Sequence, residues 1–155
     1  MLRMTLCEVV KGKMLLLKKA NRGISKGKWN GLGGKIESGE SEKENAVREI
    51  EEESGLRAKR LERRGTIYFS KGSRGNRLGR ISLFVCNNFS GQLKAGSEGE
   101  LKWFDTGNLP YDRMWDDDRY WMPLLMRGYA FEAEFIYDKK MEKVIALSIR
   151  KIRKV

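Results

Sequence analysis

Residues 34–56 read GKIESGESEKENAVREIEEESGL, and both the architecture and the chemistry of the chain turn on them. Ser41 followed three places later by Glu44 is a capping box, in which each side chain satisfies the other residue's free backbone N–H at a helix start. Gly55 stands where helices end in a left-handed residue. The pattern predicts a helix over Glu42–Ser54, with Ala46, Val47 and Ile50 on its inward stripe. Positions three and four apart share a helical face, so Glu49, Glu52 and Glu53 converge on one patch. Like charges at this spacing cost roughly 0.2–0.5 kcal/mol per pair, a repulsion that a bound cation would remove. Clustered carboxylates select hard, oxygen-seeking ions such as Mg²⁺. Taken alone, the same face could be an ordinary solvated acidic surface. The preceding loop argues otherwise, because Gly31, Gly33 and Gly34 strip away side chains and let backbone groups approach a phosphate or metal closely.

The charge distribution points the same way. The chain of 155 residues carries a formal charge of +11, yet residues 34–56 hold three cations against eight anions. A local acidic cluster in a basic protein suits bound cations together with a polyanionic ligand. There is no histidine, which excludes imidazole acid-base catalysis, Ser-His triads and zinc sites with His ligands. Catalysis would rest on carboxylates, Lys, Arg, Tyr or a hard metal. Cys7 and Cys86 lie in apolar stretches and read as reduced core residues. No apolar run reaches the ~20 residues that span a bilayer, and the N-terminus lacks a signal-peptide layout. These features predict a cytosolic protein with no membrane partner, built as one domain over residues 1–155.

Around the helix the pattern alternates as strands do. Residues 5–10 and 13–20 read as two strands about Lys11-Gly12, and residues 21–35 as a glycine-rich loop. Further strands are expected at residues 65–70, 81–89 and 101–105, with a Gly- and Arg-rich loop at 71–80. A second helix is predicted over residues 119–127 with Pro123 in its first turn, and a hairpin over 129–137 and 143–152. Strands interleaved with two helices give an α/β (α+β) fold, a mixed β-sheet sandwiched between helices.

Residues 34–56 resemble the Nudix signature at every fixed place: Gly34, Glu40, Arg48-Glu49, the aliphatic Ile50, Glu52-Glu53, Gly55 and the aliphatic Leu56. The resemblance implies the Nudix fold and hydrolysis of a diphosphate linkage. It makes Glu49, Glu52 and Glu53 metal ligands, with the Gly34 backbone beside them. It makes Arg48 the residue that orients a metal-binding glutamate, and Glu40 a support of the helix start or the metal shell. One of the box glutamates, or one from a later loop, helps to activate water; Glu98 and Glu100 are the candidates there, with Glu98 preferred by its spacing to Trp103-Phe104. Metal ions neutralise phosphate oxygens and place a water without any histidine.

The flanks resemble a narrower group, the MutT-homologue oxidised purine nucleoside triphosphatases. Lys28-Trp29-Asn30-Gly31, Asp112-Arg113-Met114-Trp115-Asp116-Asp117-Asp118 and Tyr120-Trp121-Met122-Pro123-Leu124-Leu125 carry this similarity. It implies that Asn30 hydrogen-bonds the base edge, Trp115 stacks on the purine face, and Asp117 with Asp118 reads the base. Two close carboxylates resist double ionisation, so one holds a proton and donates while the other accepts. Thr5, Ile24, Phe69 and Leu78 fall at further pocket-wall positions, and Gly33 and Lys35 beside the phosphates. The chain departs from the group at Asp116, where close relatives have proline, at Ile24, where an aromatic is usual, and at Ala20, where a lysine is usual.

The resemblance thus implies Mg²⁺-dependent cleavage of oxidised purine nucleoside triphosphates to monophosphate and pyrophosphate, by a monomer. Two alternatives stand beside it. One is a Nudix hydrolase for ordinary nucleotides, ADP-ribose, dinucleoside polyphosphates or capped RNA. Lys71, Arg74, Arg77, Arg80 and residues 150–154 supply cations that could touch nucleic acid, although no aromatic residues interleave with them in sequence. The other is a silent module that only binds nucleotide, which the complete glutamate set argues against.

Overall fold

The computed structural model describes residues 1–94 and 99–155. Strands β1 (Leu2–Lys11), β2 (Met14–Ala20) and the two-residue β3 (Trp29–Asn30) precede helix α1 (Glu42–Ser54). Then come β4 (Arg57–Lys71), β5 (Arg77–Ser90), β6 (Gly99–Asp105), helix α2 (Asp118–Met126), and the hairpin β7 (Tyr129–Tyr137) and β8 (Val144–Lys154). The strands join in one mixed sheet ordered β3-β2-β1-β5-β4-β7-β8, with β6 against β2. The β1–β5 and β4–β7 pairs are parallel, and the others are antiparallel.

Each sheet face carries its own helix, as the sequence predicts. Strand alternation sends Cys7 and Val9 of β1 into a cluster with Ala46 and Ile50 of α1. Leu6 and Val10, at the alternate positions, point the other way, against the cluster formed by Trp121, Met122 and Leu125 of α2 with Phe131 and Phe135. Cys7 and Cys86 are buried free thiols, also as expected. Among the described residues no helix is long and apolar enough to cross a membrane.

Three local expectations change. β4 is much longer than residues 65–70, because the charged Arg57–Arg64 stretch pairs with β5 despite lacking an apolar alternation, and β5 starts at Arg77 rather than residue 81, where it pairs with Tyr68, Phe69 and Ser70 and with the start of β1. The loop at residues 21–35 contains β3, paired at Asn30 with Lys18 and at Trp29 with Lys19. Pro123 lies in the second turn of α2 rather than the first, since the helix begins at Asp118. Its missing N–H cannot take up the Arg119 carbonyl. The end of α2 is held instead by the buried Arg64, whose guanidinium donates to the Leu125 carbonyl at 3.0 Å and the Tyr129 carbonyl at 3.1 Å.

Candidate active site

The capping box forms as read: the Glu44 N–H donates to Ser41 Oγ at 3.1 Å, and the Ser41 N–H to Glu44 Oε1 at 3.0 Å. Gly55 ends α1 at φ 80°. One turn into the helix, Asn45 is fully buried and ties three elements together. Its amide donates to the Lys35 carbonyl at 2.9 Å and Glu40 Oε1 at 2.8 Å, and its oxygen accepts from the Thr5 hydroxyl at 2.5 Å. Arg48 grips Glu40 with two bonds of 2.6 and 3.1 Å. Its remaining nitrogen reaches Glu52 Oε2 at 3.0 Å and lies 3.3 Å from Glu49 Oε1. The Arg48 guanidinium, helped by Asn45, holds the Glu40 carboxyl down to about 2. Arg48 and Glu40 therefore form the brace behind the acidic face.

On the inner side of that face Glu53 is buried. It accepts from the Gly33 N–H at 2.7 Å and from the Lys18 ammonium. Glu49 is nearby. Burial and the Glu53 charge push its carboxyl up to about 7, with Glu52 adding to the repulsion and Arg48 and Lys18 opposing it. Two glycines make the approach possible. A Cβ on Gly34 would lie 2.7 Å from Glu49 Oε1, and one on Gly33, at φ 148°, would run into the Thr5 carbonyl. Glu52 turns toward Arg48, with more than half its side chain exposed. So the structure gathers Glu49 and Glu53, whereas Glu52 joins them through Arg48. Among the described residues no three carboxylates converge on a single ion position in this arrangement. Crowded hard oxygen donors in a glycine cradle fit a divalent cation, which would relieve the repulsion that raises Glu49.

A second cluster lies at the start of α2. The Trp115 indole N–H donates to Ser25 Oγ at 3.0 Å, its ring meets Tyr137 edge-on at 5.9 Å, and the Lys28 ammonium stands 5.2 Å from its centroid. The Tyr137 hydroxyl donates to Asp117 Oδ1 and accepts from the Asp117 N–H at 3.0 Å, while the Trp121 N–H donates to Asp117 Oδ2 at 2.7 Å. Both Asp117 oxygens are thus occupied as acceptors. Burial raises Asp117, and these two hydrogen bonds oppose the rise. Asp118 is buried, and desolvation followed by the charges of Asp117 and Glu8 drives it well above the usual carboxylate range. The two members differ in their partners: both Asp117 oxygens accept hydrogen bonds, whereas burial and the neighbouring charges favour a proton on Asp118. Asp116 is separate, accepting from the Val144 N–H at 2.8 Å and pairing with Arg119 at 3.3 Å. It fastens α2 to the final hairpin.

Residues 4–125 match the NUDIX domain family, more than half of the chain. The chain belongs to the Nudix family. It is similar to the oxidised purine nucleoside triphosphate hydrolase of Danio rerio, 36% identical over 135 residues, covering 87% of this chain and 86% of that protein. The enzyme of the same name from Mus musculus is 33% identical over 149 residues, covering 96% and 94%. Among solved structures, the mutator MutT protein from Bacillus halodurans superposes with a TM-score of 0.84 at 25% identity, covering 96% of this chain and 97% of that one. The chain is thus a hydrolase of the family that acts on phosphoric anhydrides, and Nudix hydrolases generally need a divalent metal.

With the Nudix architecture in place, the remaining expected site residues can be located. Asn30 sits in β3, half-buried, opposite Lys18. Phe69 of β4 packs over Gly79, where a Cβ would lie 2.5 Å from its ring. Four of the expected residues make other contacts or face solvent. Thr5 turns toward α1 and Asn45, away from Trp115, because strand alternation puts it on the α1 face. Ile24 is 74% exposed, and its loop touches Trp115 through Ser25 instead. Leu78 is also exposed at the β5 start. The Lys35 side chain is exposed, while its carbonyl serves Asn45. Glu98 lies outside the described residues, and Glu100 is exposed on β6 opposite Lys19.

Sequence reading missed Lys18, Asn45, Trp121 and Tyr137 as contributors, and also Glu8. A lone glutamate at the centre of the apolar strand β1 was the available signal for the last. The basic surfaces differ from expectation too. Arg74 and Arg77 pair with Glu134 and Arg80 with Glu42, and aromatic rings do stand among the cations: Tyr68 under Arg77, and Tyr129 among Arg127, Lys151 and Lys154.

Proposed function

We propose that this Nudix hydrolase cleaves oxidised purine nucleoside triphosphates, of the 8-oxo-dGTP and 2-oxo-dATP type, to nucleoside monophosphate and pyrophosphate. The observation that carries this reading is the asymmetric Asp117–Asp118 pair beside Trp115. An oxidised purine bears an additional lactam edge, an N–H next to a C=O. A protonated Asp118 would supply a donor to such an edge, and the second lone pairs of the Asp117 oxygens, held in place by Tyr137 and Trp121, an acceptor. Trp115 offers the base its face, pinned by Ser25 and Tyr137. The names of the similar enzymes from fish and mouse support the same substrate class.

Glu49, Glu53 and Glu52 would hold Mg²⁺, or Mn²⁺ in its place, with the Gly34 backbone beside them. The ion when bound supplies charge neutralisation for the phosphate oxygens and a polarised water. The chain's own residues do the remainder. Arg48 and Glu40 hold the acidic face in register, the glycines admit the phosphate chain, and Lys18 contributes positive charge to it. Water adds across the α–β anhydride, leaving monophosphate and pyrophosphate. This reading carries with it a monomer of one domain over residues 1–155, working on the cytosolic nucleotide pool.

Steady-state hydrolysis by purified protein tests the substrate class. Oxidised purine triphosphates should exceed dGTP and dATP in kcat/KM by at least about tenfold, since a site built to hydrogen-bond a group rejects analogues lacking it. ADP-ribose or a dinucleoside polyphosphate turned over as well as, or better than, the oxidised nucleotides overturns it.

A further inference from the structure

Glu8 lies in the middle of β1, on the face that Leu6 and Val10 share with α2. It is 1% exposed, and neither carboxyl oxygen meets a hydrogen-bond donor among the described residues. Its β5 neighbour in register is the apolar Val85. The carboxyl fits there because residue 31 is glycine: a Cβ on Gly31 would lie 2.9 Å from both the Glu8 carboxyl carbon and its Oε2. The Cys7–Leu32 backbone pair fixes that register, with bonds of 2.5 and 3.0 Å. Glu8 is therefore seated against the Gly31 backbone, on the α2 face of the sheet, and near enough to Asp118 for its charge to raise that residue's proton affinity.

A buried carboxylate without donors is costly, and such a group keeps its proton instead. Burial pushes Glu8 up to about 8. The titratable groups around it and Asp118 are Asp117, Tyr111 and Tyr137, while Cys7 faces the opposite side of the sheet. A neutral carboxyl presents one O–H and one C=O side by side, a donor and an acceptor that match a lactam.

We propose that Glu8 is a specificity-determining residue of the nucleobase pocket, a third acidic group that works with Asp118 to read the lactam edge of an oxidised purine. The inference rests on the oxidised-purine reading above. Glu8 would touch the base and no reacting atom, so its removal should weaken affinity for the oxidised base more than it lowers turnover at saturation.

The test measures the Kd of 8-oxo-dGMP and dGMP without metal, and kcat and KM for 8-oxo-dGTP, for wild type, Glu8→Gln and Glu8→Leu between pH 6 and 9. Glu8→Leu should raise Kd for the oxidised monophosphate about tenfold, with a smaller change for dGMP and a rise in KM that exceeds any fall in kcat. Glu8→Gln keeps a donor and an acceptor and should stay within about threefold of wild type at pH 7. It should also hold its affinity above pH 8, where wild type weakens as Glu8 ionises. Wild-type affinity in Glu8→Leu, or equal losses in both variants, overturns the role. Should Glu8→Leu fail to fold, a pH profile of Glu8→Gln superimposable on wild type overturns it. A wild-type protein that discriminates no oxidised from ordinary nucleotide overturns the substrate reading itself, whereas loss of the Glu8 effect in a discriminating enzyme overturns this inference alone.

Discussion

Replacing Asn45 by Leu probes the node that joins β1, the glycine loop and α1. The side chain is fully buried and makes three hydrogen bonds, to Thr5, the Lys35 carbonyl and Glu40. Leucine is close in shape, so the loss is mainly polar. Glu40 retains Arg48 as partner, but the buried Thr5 hydroxyl and the Lys35 carbonyl lose theirs. Each stranded group costs about 1–3 kcal/mol, giving about 2–4 kcal/mol after partial relaxation. For a domain of this size 1 kcal/mol moves Tm by about 2–4 °C, so the variant should melt roughly 4–15 °C lower. Thr5→Val alone leaves the Asn45 oxygen short of one donor and should cost about 1–2 kcal/mol. Combining the two removes both partners, and the sum should overshoot the double variant by about 1 kcal/mol. Urea unfolding of the four proteins gives the cycle directly. An Asn45→Leu protein within about 1 °C of wild type, or strict additivity, refutes the reasoning.

Four further outcomes follow from the geometry. Gly34→Ala places a methyl 2.7 Å from Glu49 Oε1, and should cut kcat at least about tenfold with Tm nearly unchanged; full activity contradicts the cradle. Tyr137→Phe removes a donor to Asp117 and should raise KM for the oxidised triphosphate severalfold while sparing kcat, a split that steady-state kinetics reports. Trp115→Ala should likewise weaken nucleotide binding, read as Kd of the monophosphate, and an unaltered Kd contradicts the stacking role. Glu8 has a folded value raised to about 8 above an unfolded 4.5, so the unfolded chain releases the proton first as pH rises. Its contribution to stability is therefore full below about 4.5 and lost toward pH 8. Glu8→Gln lacks this dependence, so its stability relative to wild type should climb between pH 4.5 and 8 and then level off; a constant difference by urea titration contradicts the assignment.

Much of the fold was legible because local chemistry and tertiary environment agree. Ser41, Glu44 and Gly55 bound α1 at both ends without help from distant residues, and the apolar stretches of β1 and β2, the latter a continuous Leu15-Leu16-Leu17 run, become buried strands of the sheet. The early part of β4 was illegible because its strand character comes from pairing with β5, and RAKRLERR has no alternation of its own. In the site, helical spacing placed Glu49 and Glu53 together, but it could not show Arg48 drawing Glu52 outward. Spacing likewise could not tell three consecutive aspartates apart. Their roles separate only when Tyr137 and Trp121 claim Asp117, and Val144 and Arg119 claim Asp116, which leaves Asp118 as the buried neutral member. Alternation along β1 puts Thr5 on the α1 face, bonded to Asn45, and Leu6 on the α2 face, a division that depends on the strand's register in the sheet.

In the proposed reaction the α1 carboxylates act against the phosphate chain of the nucleotide. Chromatography of the products from an oxidised purine triphosphate, Mg²⁺ and either wild type or Glu53→Gln tests this most directly. Wild type should yield monophosphate and pyrophosphate in equal amounts, and Glu53→Gln should lose at least about a hundredfold in rate while melting near the wild-type temperature. Equal rates for the two proteins, or a diphosphate with inorganic phosphate as the products, would contradict it.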